Sequence, residues 1–113
     1  MCSQLVIDII KKEVAIAARM CMGDKLKKVI LYGSYARGDY NNESDIDIMI
    51  LADIPHEDCW KERMKVSSLT GWLDLEYNVL ISLHVTDSAT YNRYINVLPF
   101  YMNIVNEGIE IIA

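Results

Sequence analysis

Gly33-Ser34-Tyr35-Ala36-Arg37-Gly38-Asp39, followed after a short gap by Ser44-Asp45-Ile46-Asp47, is the stretch that decides the fold. Immediately before it, Lys27 to Tyr32 reads as a short buried strand, with Val29, Ile30 and Leu31 in a continuous apolar run. Gly33 and Ser34 break that strand, and a turn or short helix follows through Arg37. Gly38, Asp39, Asn41 and Asn42 then make a loop. Asp45 to Leu51 is a second strand, in which Ile46, Ile48 and Ile50 alternate with Asp45, Asp47 and Met49.

The chemistry of this stretch is that of a phosphate and cation site. Glycine after a strand lets a ligand approach the backbone closely. The Ser34 hydroxyl and the amides at the start of a helix suit a phosphate. Residues two apart on a strand share a face at roughly 6–7 Å, so Asp45 and Asp47 can bridge hard cations such as Mg²⁺. Paired carboxylates beside a core strand are costly without cations or partners. Taken separately, Ser-Asp-Ile-Asp is also the pattern of an edge strand with solvated acids, and Gly-Ser that of a turn. It is their order, strand to Gly-Ser to loop to carboxylate strand, that makes the pattern specific.

Outward from this stretch, residues Ser3 to Cys21 predict a first helix. Leu5, Ile9, Ile16 and Met20, with Val6, Ile10, Val14 and Ala17, supply its apolar stripe; Ser3 caps it and Gly23 ends it. Pro55 closes the carboxylate strand, and His56 to about Leu73 is a weakly patterned helix. Tyr77 to Val85 alternates cleanly enough to predict the longest strand. Tyr91, Tyr94, Ile95 and Leu98 then fit a helix that Pro99 breaks or restarts, Phe100 to Glu107 continues it, and Ile109, Ile111 and Ile112 suggest a last short strand. The fold class is α/β or α+β, a small mixed sheet flanked by helices in one domain spanning 1–113.

Composition narrows the function classes. The 113 residues are 52% hydrophobic and 24% charged, which is globular rather than disordered. A net charge of -5 argues against direct nucleic-acid binding, and Lys25, Lys27 and Lys28 are the one local basic cluster. Cys2, Cys21 and Cys59 match no zinc spacing and read as reduced thiols of a cytoplasmic protein. No apolar run approaches a membrane span, and no signal peptide is read. His56 and His84 look isolated, without a ligand set, and Ser82 has no His or Asp partner at a hydrolase spacing.

Gly33-Ser34, ten residues, then Asp45-x-Asp47 resembles the signature of the DNA polymerase β-type nucleotidyltransferase superfamily. The string Leu31-Tyr-Gly-Ser-Tyr-Ala-Arg-Gly-Asp39, the short chain, and the closing Pro99-Phe100-Tyr101 and Glu107-Gly108-Ile109 strings resemble its minimal nucleotidyltransferase (MNT) branch. The resemblance implies that Gly33 and Ser34 hold a triphosphate, with Arg37 and Asp39 beside the nucleotide; a surface salt bridge between these two is an equal reading. It implies that Asp45 and Asp47 are the catalytic carboxylates and bind Mg²⁺ or Mn²⁺, with ATP as substrate. Many bacterial MNT proteins are antitoxins paired with a HEPN-domain RNase toxin, and some transfer AMP to a toxin tyrosine. The implied partner is therefore a HEPN toxin, in a homo- or hetero-oligomer.

The family often carries a third carboxylate on a later strand. Aligning Tyr77-Asn-Val-Leu-Ile-Ser-Leu83 with that strand puts Asn78 where an Asp is common; its amide carbonyl can still ligate the metal but brings no charge and cannot act as a general base. Glu76 would share its face and could substitute; an exposed strand-start residue is the other reading. Two activities therefore stay open: protein adenylyl transfer, or a weak or inactive enzyme that blocks its partner by binding.

Overall fold

The computed structural model describes residues 3–41 and 44–111, so Cys2, Asn42 and Ile112 lie outside the described residues. Helix α1 spans Gln4–Met22, strand β1 Leu26–Tyr32, the one-turn helix α2 Ser34–Arg37, and strand β2 Ile46–Ala52. Helix α3 (Cys59–Tyr77), strand β3 (Ile81–Asp87), helices α4 (Ser88–Tyr94) and α5 (Pro99–Glu107), and strand β4 (Ile109–Ile111) follow. The sheet order is β3-β2-β1-β4; β1 runs antiparallel to both β2 and β4, and β2 runs parallel to β3. This is the small mixed sheet flanked by helices that the pattern predicts.

Both faces of the sheet are covered. Val29 and Leu31 of β1 and Ile46, Ile48 and Ile50 of β2 pack on one face under α1 and α3, and the three isoleucines are fully buried. Each such side chain contributes about 1.5–3 kcal/mol of burial free energy. On the other face Ile30, Met49 and Leu51 join Tyr91 of α4 and Ile104 of α5. Met49 is therefore core, and only the β2 residues at the mouth of the strand, Asp47 and the preceding Asp45, escape full burial on that side.

Local signals explain the ends of the elements. The Ser3 hydroxyl accepts from Val6 N at 3.2 Å and caps α1. Pro99 starts α5, where its missing amide hydrogen costs nothing. At Gly108 a Cβ would lie 2.5 Å from both Ile104 O and Ile30 Cγ2, so glycine is what lets α5 close down onto β1.

Three sequence expectations are corrected. In α1 the buried row is Ile7, Ile10, Val14, Ala17 and Ala18, while Leu5, Ile16 and Met20 are exposed. Apolar residues cover most of that helix, and the row that packs is the one whose alanines admit close approach. The helix from His56 is a short 3₁₀ turn, His56–Asp58, that leads into α3, and α3 continues past Leu73 to Tyr77.

The third correction concerns the strand expected over Tyr77 to Val85, which begins only at Ile81 and runs to Asp87. Tyr77 is the last helical residue, and Asn78 is left-handed (φ 52°, ψ 55°), ending α3 with its amide on the Asp74 carbonyl. Asparagine tolerates this conformation, so Asn78 is a helix stop. Val79 N also donates to Asp74 O, at 3.1 Å, and the Asp74 carboxylate receives Ile81 N at 3.2 Å, turning the chain into β3.

Candidate functional site

The antiparallel register sets Tyr32 opposite Asp47, so the turn at Gly33 closes directly over the β2 carboxylate. Gly33 has φ 75°, a conformation L side chains avoid, and a Cβ built there would overlap Asp47 Oδ2. Ala36 N and Arg37 N both donate to Gly33 O at 3.1 Å, which winds the chain into α2. Gly38 ends that turn in the left-handed region, donating to Ser34 O.

Tyr32, Gly33, Ser34, Arg37 and Asp47 line one side of a cleft of about 350 Å³. The opposite wall is α5, which contributes Phe100, Asn103, Ile104 and Glu107. Arg37 reaches across: Nη1 donates to Glu107 Oε2 at 3.3 Å, and Nε donates to Asp39 Oδ2 at 3.1 Å. Asp39 sits outside the cleft as the exposed partner of Arg37, in agreement with the salt-bridge reading. Asp45 lies exposed at the strand mouth, beside a smaller groove that also touches Arg63 and Ser82.

The electrostatics mark Asp47 as a carboxylate short of positive charge. Burial pushes its pKa up, and Asp45 pushes it further, with Arg37 only partly opposing. Tyr32 is half-buried, and that burial together with the nearby Asp47 charge pushes its hydroxyl up to about 12. Half-buried oxygen next to a second carboxylate is a donor set that fits a hard divalent cation. The missing Cβ at Gly33 is what lets the Asp47 carboxylate pack directly against the turn, in the same cleft as Ser34 and Arg37.

Glu76 and Asn78, the residues considered for a further ligand, do not join the cleft. Glu76 is on α3 and Asn78 is its cap; both are exposed and neither lines the cleft. The β3 residue paired with Asp47 is Ser82. A further carboxylate of the cleft is Glu107, which no local pattern announces because it meets Arg37 across 70 residues of chain. The Glu107-Gly108-Ile109 string carried the family resemblance but no hint of that contact. His56 is not isolated either: its Nδ1 lies 2.9 Å from Asp87 Oδ1.

An open cleft at the carboxyl end of a glycine-broken strand, with Asp47 in its lining and Asp45 nearby, is an arrangement with the chemistry to take a phosphate and a cation. The nucleotidyltransferase domain model matches residues 8–109, and the chain belongs to that family. It is 39% identical over 97 residues to a Methanocaldococcus jannaschii protein named "Putative protein adenylyltransferase MJ0604", covering 86% of this chain and 89% of that one. Two solved structures share the fold at 20% identity. A Sulfolobus solfataricus protein titled a putative nucleotidyltransferase has a TM-score of 0.56, over 96% of this chain and 87% of that chain. A toxin-antitoxin structure with AMP-PNP has a TM-score of 0.55, over 91% of this chain and 73% of that chain. Among the described residues, no helix is long and apolar enough to cross a membrane.

Proposed function

We propose that this chain transfers AMP from ATP to a hydroxyl-bearing side chain of a protein, and that it acts in the cytoplasm as the antitoxin of a HEPN-type RNase toxin. The observation that carries this reading is the closure of Gly33 over half-buried Asp47 in the same cleft as Ser34 and Arg37. The protein acceptor is supported by the name of the 39% identical relative, and the nucleotide and toxin partner by the toxin-antitoxin neighbour with AMP-PNP.

In this mechanism the turn at Gly33 and Ser34 receives the triphosphate, with the Ser34 hydroxyl in the cleft and the Asp47 carboxylate packed against Gly33. Arg37 leaves Glu107 or Asp39 for a phosphate oxygen, trading one anion for another. Asp45 and Asp47 would hold Mg²⁺ or Mn²⁺, which supplies neutralising charge to the phosphates when bound. The acceptor oxygen bonds to the α-phosphorus as the bond to the β-phosphate oxygen breaks; pyrophosphate leaves and the acceptor proton passes to solvent. In this reading the protein acceptor closes the open side of the cleft between Ser34 and Phe100.

A second reading, an antitoxin that acts by binding alone, is favoured by Ser82 standing beside Asp47 and by Glu107 being tied to Arg37. One experiment separates the two. The chain is incubated with its toxin, labelled ATP and Mg²⁺, and the toxin is weighed intact, beside the Asp45→Asn, Asp47→Asn double variant. Added AMP that disappears in the variant supports transfer. A stable, neutralised complex without added mass supports binding alone.

A further inference from the structure

At the other end of the sheet from the cleft, three side chains of metal-binding type converge. β2 and β3 pair Asp47 with Ser82 and Ala52 with Asp87, a step of about 16 Å along the strands. There Asp87 Oδ1 lies 2.9 Å from His56 Nδ1 and 3.8 Å from Cys59 Sγ, and all three ligand atoms lie within 4.8 Å of one another. His56 and Cys59 come from the 3₁₀ turn and first turn of α3, and Asp87 from the junction of β3 and α4. We propose that His56 Nδ1, Cys59 Sγ and Asp87 Oδ1 form a site for a borderline transition-metal cation of the Zn²⁺ type, with a fourth position open to water.

The geometry is close to what such an ion requires. Tetrahedral Zn²⁺ with ordinary bond lengths sets nitrogen and oxygen about 3.3 Å apart and sulfur and oxygen about 3.5 Å apart. The two separations from Asp87 Oδ1 differ from these by a few tenths of an ångström, and His56 Nδ1 and Cys59 Sγ, within 4.8 Å of each other, close around an ion once the exposed ring turns inward. The Asp87 carboxylate is already oriented, because its other oxygen accepts Thr90 N at 2.9 Å and caps α4, leaving Oδ1 turned toward His56 and Cys59. Such an outer hydrogen bond orients a ligating carboxylate. The mixture of nitrogen, sulfur and oxygen donors selects a borderline metal over Mg²⁺.

Cys59 is not built as a nucleophile. Burial and the Asp87 charge push its thiol up, the reverse of activation. A cation among the three groups removes that penalty. Binding releases the thiol proton and requires the neutral His56 tautomer with its hydrogen on Nε2. His56 itself is 79% exposed in its side chain, so the open position faces solvent.

The test titrates the full chain with Co²⁺ as a spectroscopic probe and then Zn²⁺, with Mg²⁺ in excess to occupy the carboxylate pair. One equivalent should give a thiolate-to-cobalt charge-transfer band that Zn²⁺ displaces, with proton release. Cys59→Ser and His56→Gln should each abolish the band and weaken Zn²⁺ binding by more than the ~10–100-fold that loss of an outer hydrogen-bond partner costs. Cys21→Ser and the Asp45→Asn, Asp47→Asn pair should leave it intact. Absence of the band in the parent chain, or its survival in either site variant, overturns the proposal. Should Cys59→Ser misfold, the surface substitution His56→Gln decides alone.

Discussion

Asp47 and Asp87 are the same residue at opposite ends of neighbouring strands, and their surroundings are reversed. Asp47 faces a second carboxylate and partial burial, and its pKa is raised. Burial also opposes ionisation of Asp87, but hydrogen bonds from His56 and Thr90 outweigh it and pull the carboxyl down to about 2. A carboxylate answered by donors inside the chain holds the fold together. One left with a like charge in a cleft is waiting for charge from outside. The two ends thus separate a carboxylate already ordered by donors of the chain, which the proposed metal would find in place, from one that still lacks a counter-charge.

The largest effect should come from the cleft end. Replacing both Asp45 and Asp47 by Asn should lower AMP transfer ~10³-fold, because charge neutralisation of the phosphates is worth several kcal/mol. Single-turnover rates check this. The same change should stabilise the protein without divalent ions. Asp47 binds its proton more tightly folded than unfolded, so its contribution to stability is lost as pH rises through its raised folded pKa. Solvent screening holds the gain to about 1 kcal/mol or less, visible as a higher Tm at neutral pH for Asp47→Asn and erased by Mg²⁺.

Next in size, Gly33→Ala should cost about 1–3 kcal/mol, from the positive φ and the overlap with Asp47, measured by urea unfolding. Asp87→Ala should cost about 1–2 kcal/mol through the lost α4 cap alone. Its pH behaviour is the mirror of Asp47: the stability it contributes is present above the ordinary carboxylate range and is lost as pH falls toward about 2. An acid melt of the parent and the variant checks the sign.

The smallest effect sharpens the comparison by its near absence. Asn78→Asp should leave the transfer rate unchanged within about twofold. A clear gain would restore Asn78 as a displaced catalytic position.

The cleft was legible in the sequence to the extent that it is local. Gly33-Ser34 and Asp45-x-Asp47 lie on one strand-turn-strand unit, so their meeting follows from register. The α5 wall was not legible, since Glu107 reaches Arg37 only after the chain has crossed the sheet. Asn78 was misplaced because Tyr77, Val79, Ile81, Leu83 and Val85 alternate as a strand would. The alternation spans a helix end, a left-handed stop and a strand start, and period two cannot distinguish them. His56 looked solitary for the same reason as Glu107: Asp87 lies 31 residues away along the chain.

The most direct measurement is calorimetric titration of the purified chain with ATP, with and without Mg²⁺, for the parent and for the Asp45→Asn, Asp47→Asn pair. Binding should require Mg²⁺ in the parent and be lost in the variant. ATP binding of equal strength without the metal, or retained in the variant, would contradict it.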